Sequence, residues 1–88
     1  MTIEDREIIL LKVSGQDKPG VTAGLTSVLA TYDALILDIG QADIHDTLSL
    51  GILFQIKNGS TSGPVLKDLL FKGYELGIKV KFIPISIP

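Results

Sequence analysis

The stretch EIILLKVSGQDKPGV, residues 7–21, decides the fold of this chain. Residues 7–14 predict a central β-strand, because positions 8–13 are apolar on both alternating faces apart from Lys12. Residues 15–20 bring Gly, Asp, Pro and Gly together and predict a turn. A helix over about 20–32 is predicted next, since its apolar residues form one stripe at helical spacing: Val21, Leu25, Val28, Leu29 and Tyr32.

Two more strands follow this helix and are predicted to form a hairpin. Residues 34–45 predict the second strand, in which period-two alternation places Leu35, Leu37 and Ile39 on one face and Asp38 on the other. Residues 48–56 predict the third strand, with an apolar residue at every second position. The short connector His45-Asp46-Thr47 joins the two strands, so they should be antiparallel neighbours.

The last third of the chain predicts a loop, a helix and an edge strand. Residues 57–63 are polar with two turn signals, and Pro64 suits the first position of a helix over about 64–76. Gly77 is expected to end that helix. Residues 78–85 predict the fourth strand, at an edge because Pro84 has no N–H to donate. The core side of this helix is predicted to hold Val65, Leu66, Leu69, Leu70 and Leu76.

The order βαββαβ predicts an α+β fold, a ferredoxin-like sandwich. Its four-stranded antiparallel sheet would carry both helices on one face. The first and third strands are the most apolar and should be central, and the second and fourth strands should lie at the edges. The whole chain, residues 1–88, is predicted to be one domain.

The composition bounds the class of protein. A domain of 88 residues buries only about 60–65% of its unfolded surface, so it needs the apolar content of 45% found here. The chain has no cysteine, which excludes a disulfide framework and favours a reducing, cytoplasmic location. No apolar run reaches the roughly 18 residues of a membrane span. The net charge of −2 and the scattered lysines argue against a nucleic-acid partner.

No catalytic residue and no metal ligand set is predicted. His45 is the lone histidine and lies in a turn. Asp38 and Asp43 are five residues apart on one predicted strand, so their carboxylates point to opposite faces and do not converge on a cation. The chain also lacks a Gly-rich phosphate loop. We therefore expect a non-enzymatic domain without a cofactor of its own.

The turn before the first helix is the candidate binding segment. A Pro19-Gly20 pair at a helix start leaves backbone N–H groups free, and with the helix dipole these suit a carboxylate or phosphate. The alternative interpretation is purely structural, with Asp17 capping the helix and the Pro-Gly pair only turning the chain.

The segment Asp17-Lys18-Pro19-Gly20-Val21, between an apolar strand and a helix, resembles the signature of ACT domains, which are small-molecule-sensing modules. The resemblance covers residues 7–86. The stretches 36–42 (ILDIGQA) and 48–51 (LSLG) are similar to the N-terminal ACT region of bacterial phosphoserine phosphatases.

The resemblance implies both a ligand and a partner. A small amino acid such as serine would bind between the first loop and the second strand of a neighbouring copy. The implied ligand-binding residues are Asp17, Pro19, Gly20, Val21 and, on the second strand, Gln41. A homodimer would form through the strand 34–45. Serine-binding relatives often carry Asn near the start of that strand, where this chain has Leu35.

The function implied by the resemblance is that of a regulatory domain of a phosphoserine phosphatase in serine biosynthesis. The catalytic domain, with its Mg²⁺, would then lie beyond Pro88. The chain ends directly after a strand, which favours a fragment of a longer protein. Two alternatives remain open: a structural dimerisation module without a ligand, and a free-standing ACT sensor.

Overall fold

Six elements follow one another in the computed structural model, which describes residues 6–85 without the side chains of 57–62. They are β1 (Arg6–Gln16), α1 (Val21–Thr31), β2 (Leu35–Ile44), β3 (Thr47–Lys57), α2 (Asn58–Leu76) and β4 (Lys79–Ile85). The predicted order is confirmed. The predicted chain end at Pro88 lies outside the described residues, as do residues 1–5.

The sheet is antiparallel throughout and has the order β2-β3-β1-β4. β1 pairs with β3 along its whole length and with β4 from Ile8↔Ile85 to Ser14↔Lys79. The two most apolar strands are therefore central, as predicted, because only a central strand has its backbone groups paired on both sides. The ferredoxin-like sandwich is confirmed.

One face of the sheet carries the core. Alternate residues of β1 and β3 are buried against the two helices, and Leu11, Ile52 and Phe54 are wholly inaccessible to solvent. The helices contribute Leu25 and Leu69 to the same cluster. Burying each of these large side chains stabilises the fold by about 1.5–3 kcal/mol. No charged or polar side chain among the described residues is buried, so the core is held by apolar packing.

A register shift in β2 overturns the predicted faces of that strand. The pairing with β3 is irregular between Ile36 and Asp38, so the extra residue Leu37 breaks the period-two alternation. Ile36 and Ile39 consequently share the helix-bearing face, whereas Leu35 lies with Asp38 on the other face. The prediction that Leu35, Leu37 and Ile39 share one face is wrong, because alternation assumes a regular ladder.

The hairpin between β2 and β3 closes with a tight turn, as predicted. Ile44 pairs with Thr47, and the two residues between them, His45 and Asp46, have φ of 51° and 63°. Both values lie in the left-handed region, as in a type I′ turn, whose twist matches that of the flanking strands.

The start of α2 differs from the prediction. Residues 58–63 are helical rather than a loop, and Pro64 lies inside the helix rather than at its first position. Proline's φ near −65° is a helical value, so the helix continues through it at the loss of one backbone hydrogen bond. Leu70 was also placed wrongly, since its side chain is 52% exposed whereas Val65 and Leu69 are buried.

The end of α2 matches the prediction. Gly77 has φ of 69°, its N–H donates to the carbonyl of Tyr74, and the N–H of Ile78 donates to the carbonyl of Gly73. This pair of bonds is a Schellman motif, which needs the left-handed residue that glycine supplies.

α2 packs closely on β4 and forms a side-chain hydrogen bond with the end of α1. A Cβ placed on Gly73 would come within 2.5 Å of Cγ2 of Val80, so the absent side chain allows the close approach. At the end of α1, the Tyr32 hydroxyl donates a short hydrogen bond to Oδ2 of Asp68 on α2. The bond to Asp68, more than burial or the negative charge of Asp68, raises the pKa of Tyr32 above its ordinary value.

Gly73→Ala is expected to destabilise the protein by up to about 2 kcal/mol in denaturant unfolding. Overpacking against the stiff side chain of Val80 lowers the free energy of unfolding by about 1–3 kcal/mol. The higher helix propensity of alanine raises it by about 1 kcal/mol. Gly73→Ala in a Val80→Ala background is the control, since that background removes the Cγ2 atom that the new Cβ would meet. The close-packing argument fails if Gly73→Ala costs the same in both backgrounds.

The phenol of Tyr32 is expected to ionise above pH 10, because ionisation removes the proton donated to Asp68. Its folded pKa is raised, so its contribution to stability is complete below about pH 10 and is lost as the pH rises through the folded value. Ultraviolet titration in the Tyr74→Phe background isolates this phenol. Asp68→Asn should lower its midpoint, and an unchanged midpoint would refute the assigned cause.

Candidate functional site

The loop between β1 and α1 is held at both of its sides. The backbone N–H of Asp17 donates to the carbonyl of Asp46 in the β2–β3 turn at 3.0 Å. Nζ of Lys18 donates to the carbonyl of Leu76 at the end of α2 at 3.2 Å, where a cation also complements the helix dipole. These two hydrogen bonds link the loop to the hairpin turn and to the C-terminus of α2.

The start of α1 has no side-chain cap. Gly20 is the N-cap residue, in the left-handed conformation, and no described side chain accepts a hydrogen bond from the first turn. The hypothesis that Asp17 caps the helix is therefore wrong. Since the first amides of a helix have no acceptor within the helix, those that follow Gly20 keep their donors for solvent or a ligand.

Glycine is required at position 20 by its backbone conformation. Its φ of 87° is one that side chains with a Cβ rarely adopt. A Cβ built there would meet nothing within 4 Å in this chain, so no group of the same chain demands the close approach. The space above Gly20 is consequently open to a molecule from outside.

Gln41 on β2 lies beside the first turn of α1. Its Oε1 accepts a hydrogen bond from the Thr22 hydroxyl at 3.3 Å, and its Nε2 donates to Oδ2 of Asp43 at 3.2 Å. The structure thus brings two distant parts of the sequence, the loop and Gln41, to one place. The sequence analysis did not predict that Thr22 and Asp43 belong to this group. The signal that could have indicated Thr22 is its position directly after the loop.

The five predicted ligand-binding residues lie in different environments. Asp17, Pro19 and Gly20 are exposed in the loop, and Gln41 is exposed on β2. Val21 is only 2% exposed, so its side chain belongs to the core and only its backbone N–H can face a ligand.

The start of β2 is remote from this group within one chain. Leu35 pairs with Gln55 near one end of the sheet, whereas Gln41 pairs with Leu50 nearer the end that carries the loop. The register shift also places the two residues on opposite faces. Leu35 therefore does not line the loop site of its own chain.

The acidic side chains of the described residues are dispersed. Among the described residues, no three His, Asp or Glu side chains lie close enough together to hold a cation. Asp38 pairs across from Leu53 and Asp43 across from Leu48, so the two carboxylates face opposite sides, as predicted. No helix in the described part of the chain is long and apolar enough to cross a membrane.

Two kinds of known protein are similar to this chain in sequence. The chain is 38% identical over 73 residues to the UPF0237 protein MJ1558 of Methanocaldococcus jannaschii, covering 82% of this chain and 81% of that protein. It is 37% identical over 60 residues to the phosphoserine phosphatase SerB2 of Mycobacterium tuberculosis, covering 68% of this chain but only 15% of the phosphatase.

The fold is shared with a solved ACT domain protein from Streptococcus pneumoniae. The TM-score is 0.77 at 19% identity, and the match covers 89% of both chains. The family model that describes the ACT domain matches residues 7–83. The chain therefore belongs to the ACT domain family.

Proposed function

We propose that this ACT domain senses a small amino acid, serine first, at the loop 17–21 and Gln41, and pairs with a second copy of itself through β2. The observation that carries the proposal is the uncapped start of α1 beside Gln41. Backbone amides and the positive end of the helix dipole suit the carboxylate of an amino acid. The exposed carboxylate of Asp17 would take the ammonium group.

The edge strand β2 supports the second half of the proposal. All ten of its residues are exposed, and several are large and apolar, including Ile44 at 74% exposure. Within residues 6–85, no strand pairs with its outer backbone groups. Such an edge is a template for another strand, and a two-fold partner would give one continuous sheet of about eight strands.

The domain could act alone or as part of a larger enzyme. We favour a free-standing ACT sensor over the regulatory domain of a phosphoserine phosphatase. The UPF0237 relative is matched over 81% of its length, whereas the phosphatase SerB2 is matched over 15%. A phosphatase context would place a Mg²⁺-dependent catalytic domain elsewhere in the protein. The cytoplasmic location and the serine pathway remain predictions.

A dimerisation module without a ligand is the second candidate. It is favoured by the exposed apolar side chains of β2, which would be buried by a second copy whether or not a ligand is present. The two candidates differ in one respect, which is whether an amino acid binds.

Calorimetric titration of serine, glycine and alanine tests the ligand. We expect serine to bind with a dissociation constant of roughly 10 µM to 1 mM, about −7 to −4 kcal/mol, because so small a ligand makes few contacts. Asp17→Ala should weaken binding at least about tenfold through loss of the ammonium partner, worth about 1.4 kcal/mol. Glu75→Gln, which removes an exposed carboxylate on α2, is the control.

A second variant tests the open space at the helix start. Gly20→Asn keeps a residue that tolerates the left-handed conformation but adds a side chain above the amides, so it should also weaken binding. If no amino acid binds at about 10 mM, the ligand-free dimerisation module is the better description. If serine binds both loop variants as it binds the parent, the site lies elsewhere.

Proline substitutions in β2 test the dimer by light scattering. Adjacent residues of an edge strand direct their N–H groups alternately towards β3 and outwards. Of Ile39→Pro and Gly40→Pro, one therefore disrupts the outer edge while the ladder to β3 survives. We expect that folded variant to be monomeric at concentrations where the parent is a dimer.

Ile85→Pro on the opposite edge strand, β4, is the control and should leave the dimer intact. Circular dichroism identifies which proline variant keeps the native fold. A folded Ile39→Pro or Gly40→Pro protein that remains dimeric contradicts pairing through β2, as does a monomeric parent at high micromolar concentration.

A further inference from the structure

The face of the sheet away from the helices carries a concentrated positive charge. Lys12 on β1 and Lys81 on β4 are directly paired across the two strands. Lys79, two residues from Lys81, lies on the same face and pairs across from Ser14. The sequence separates Lys12 from the other two by more than sixty positions, so only the β1–β4 register brings the three lysines together.

In the described part of the chain, none of these three lysines forms an ion pair with a carboxylate. The one ion pair among the described residues joins Lys72 and Glu75 on α2. The carboxylate on this face belongs to Asp38, on the far edge strand, and it accepts a hydrogen bond from the N–H of Ile39. Like charges directly opposite each other on neighbouring strands are destabilising, so the fold retains an unfavourable Lys12–Lys81 pair.

A groove lies among the lysines. Its volume is about 540 Å³, and its lining includes the three lysines together with Ser14 and Ser49. Ser14 pairs with Ser49 on one side and with Lys79 on the other. Val13 and Val80 complete the lining, and Gly51, which pairs with Lys12, lies on the neighbouring strand. The groove therefore brings lysine and serine side chains together around an open space with a partly apolar lining.

We propose that this groove is a second binding site, for a small molecule that carries a diphosphate group. Three ammonium groups match the charge of a diphosphate near neutral pH, and serine hydroxyls add hydrogen bonds to its oxygens. A bound anion would also offset the repulsion between Lys12 and Lys81. The site is separate from the amino-acid site, since Gln41 lies on the helix-bearing face of the sheet.

Inorganic pyrophosphate is the probe for this site. Isothermal calorimetry at low ionic strength should give saturable binding of one pyrophosphate per chain, which weakens as salt is added. Lys81→Gln and Lys12→Gln should each raise the dissociation constant at least about tenfold, which corresponds to about 1.4 kcal/mol. Lys67→Gln removes an exposed lysine of α2 with the same change in net charge and should leave the affinity unchanged.

The ligand-free protein gives an independent readout. Lys81→Gln removes one member of the repelling pair, so it should raise the melting temperature at low salt, and the gain should shrink as salt screens the parent's charges. Lys67→Gln should show no such gain. A lower melting temperature for Lys81→Gln at low salt contradicts the repulsion on which the proposal depends.

Two other outcomes would overturn the proposal. If pyrophosphate binds Lys81→Gln and Lys67→Gln equally, or does not bind the parent at about 10 mM, the groove is not a diphosphate site. If the parent binds vesicles containing anionic phospholipid but not free pyrophosphate, the lysines recognise a lipid surface rather than a small molecule. Serine titration of Lys81→Gln, which should be unchanged, keeps this test separate from that of the amino-acid site.

Discussion

The antiparallel pairing of β1 with β3 is the constraint on which the other contacts depend. The two strands pair along eleven residues each, and both are apolar enough to be central. Their inward residues, such as Leu11 and Phe54, supply the surface on which both helices pack. The same pairing sets where β1 ends, and so where the loop 17–20 meets the hairpin turn at Asp46. A change of register here would displace the core and the candidate site together.

This pairing also gives the sheet two chemically different faces. On the helix-bearing face, apolar side chains of the sheet pack against the helices. Near the edge of this face, Thr22 and Gln41 form a hydrogen bond. The opposite face is left to solvent, and there Lys12 and Lys81 can lie side by side because water and salt screen their repulsion. A buried pair of like charges would be far more costly. The open face can therefore hold charged groups that the core cannot.

The two edges of the sheet differ in the same way. β4 carries Lys79, Lys81 and Pro84, which are features that keep an edge from pairing with other strands. β2 carries a register shift and two aspartates, but much of its exposed surface is apolar. The uneven protection of the two edges is the physical reason for the proposal that a second copy pairs with β2.

The sequence by itself determined the order of elements, the central strands, the hairpin turn at His45-Asp46 and the end of α2 at Gly77. Each depends on a local signal, such as hydrophobic periodicity or a residue that tolerates positive φ. The resemblance at Asp17–Val21 also led to the family. Local signals failed at residues 58–63, where turn-forming residues lie in a helix, and at Leu37, where an extra residue changes the face of Leu35.

Only the tertiary structure decided which distant residues meet. Thr22 and Gln41 are nineteen positions apart and form one hydrogen-bonded group. Lys12 and Lys81 become neighbours through the β1–β4 register, although composition indicated only scattered lysines. Such contacts depend on pairing between strands and on how a helix lies on the sheet. The pattern of a single segment predicts which of its faces is apolar. It does not predict which residues of another segment will contact that face.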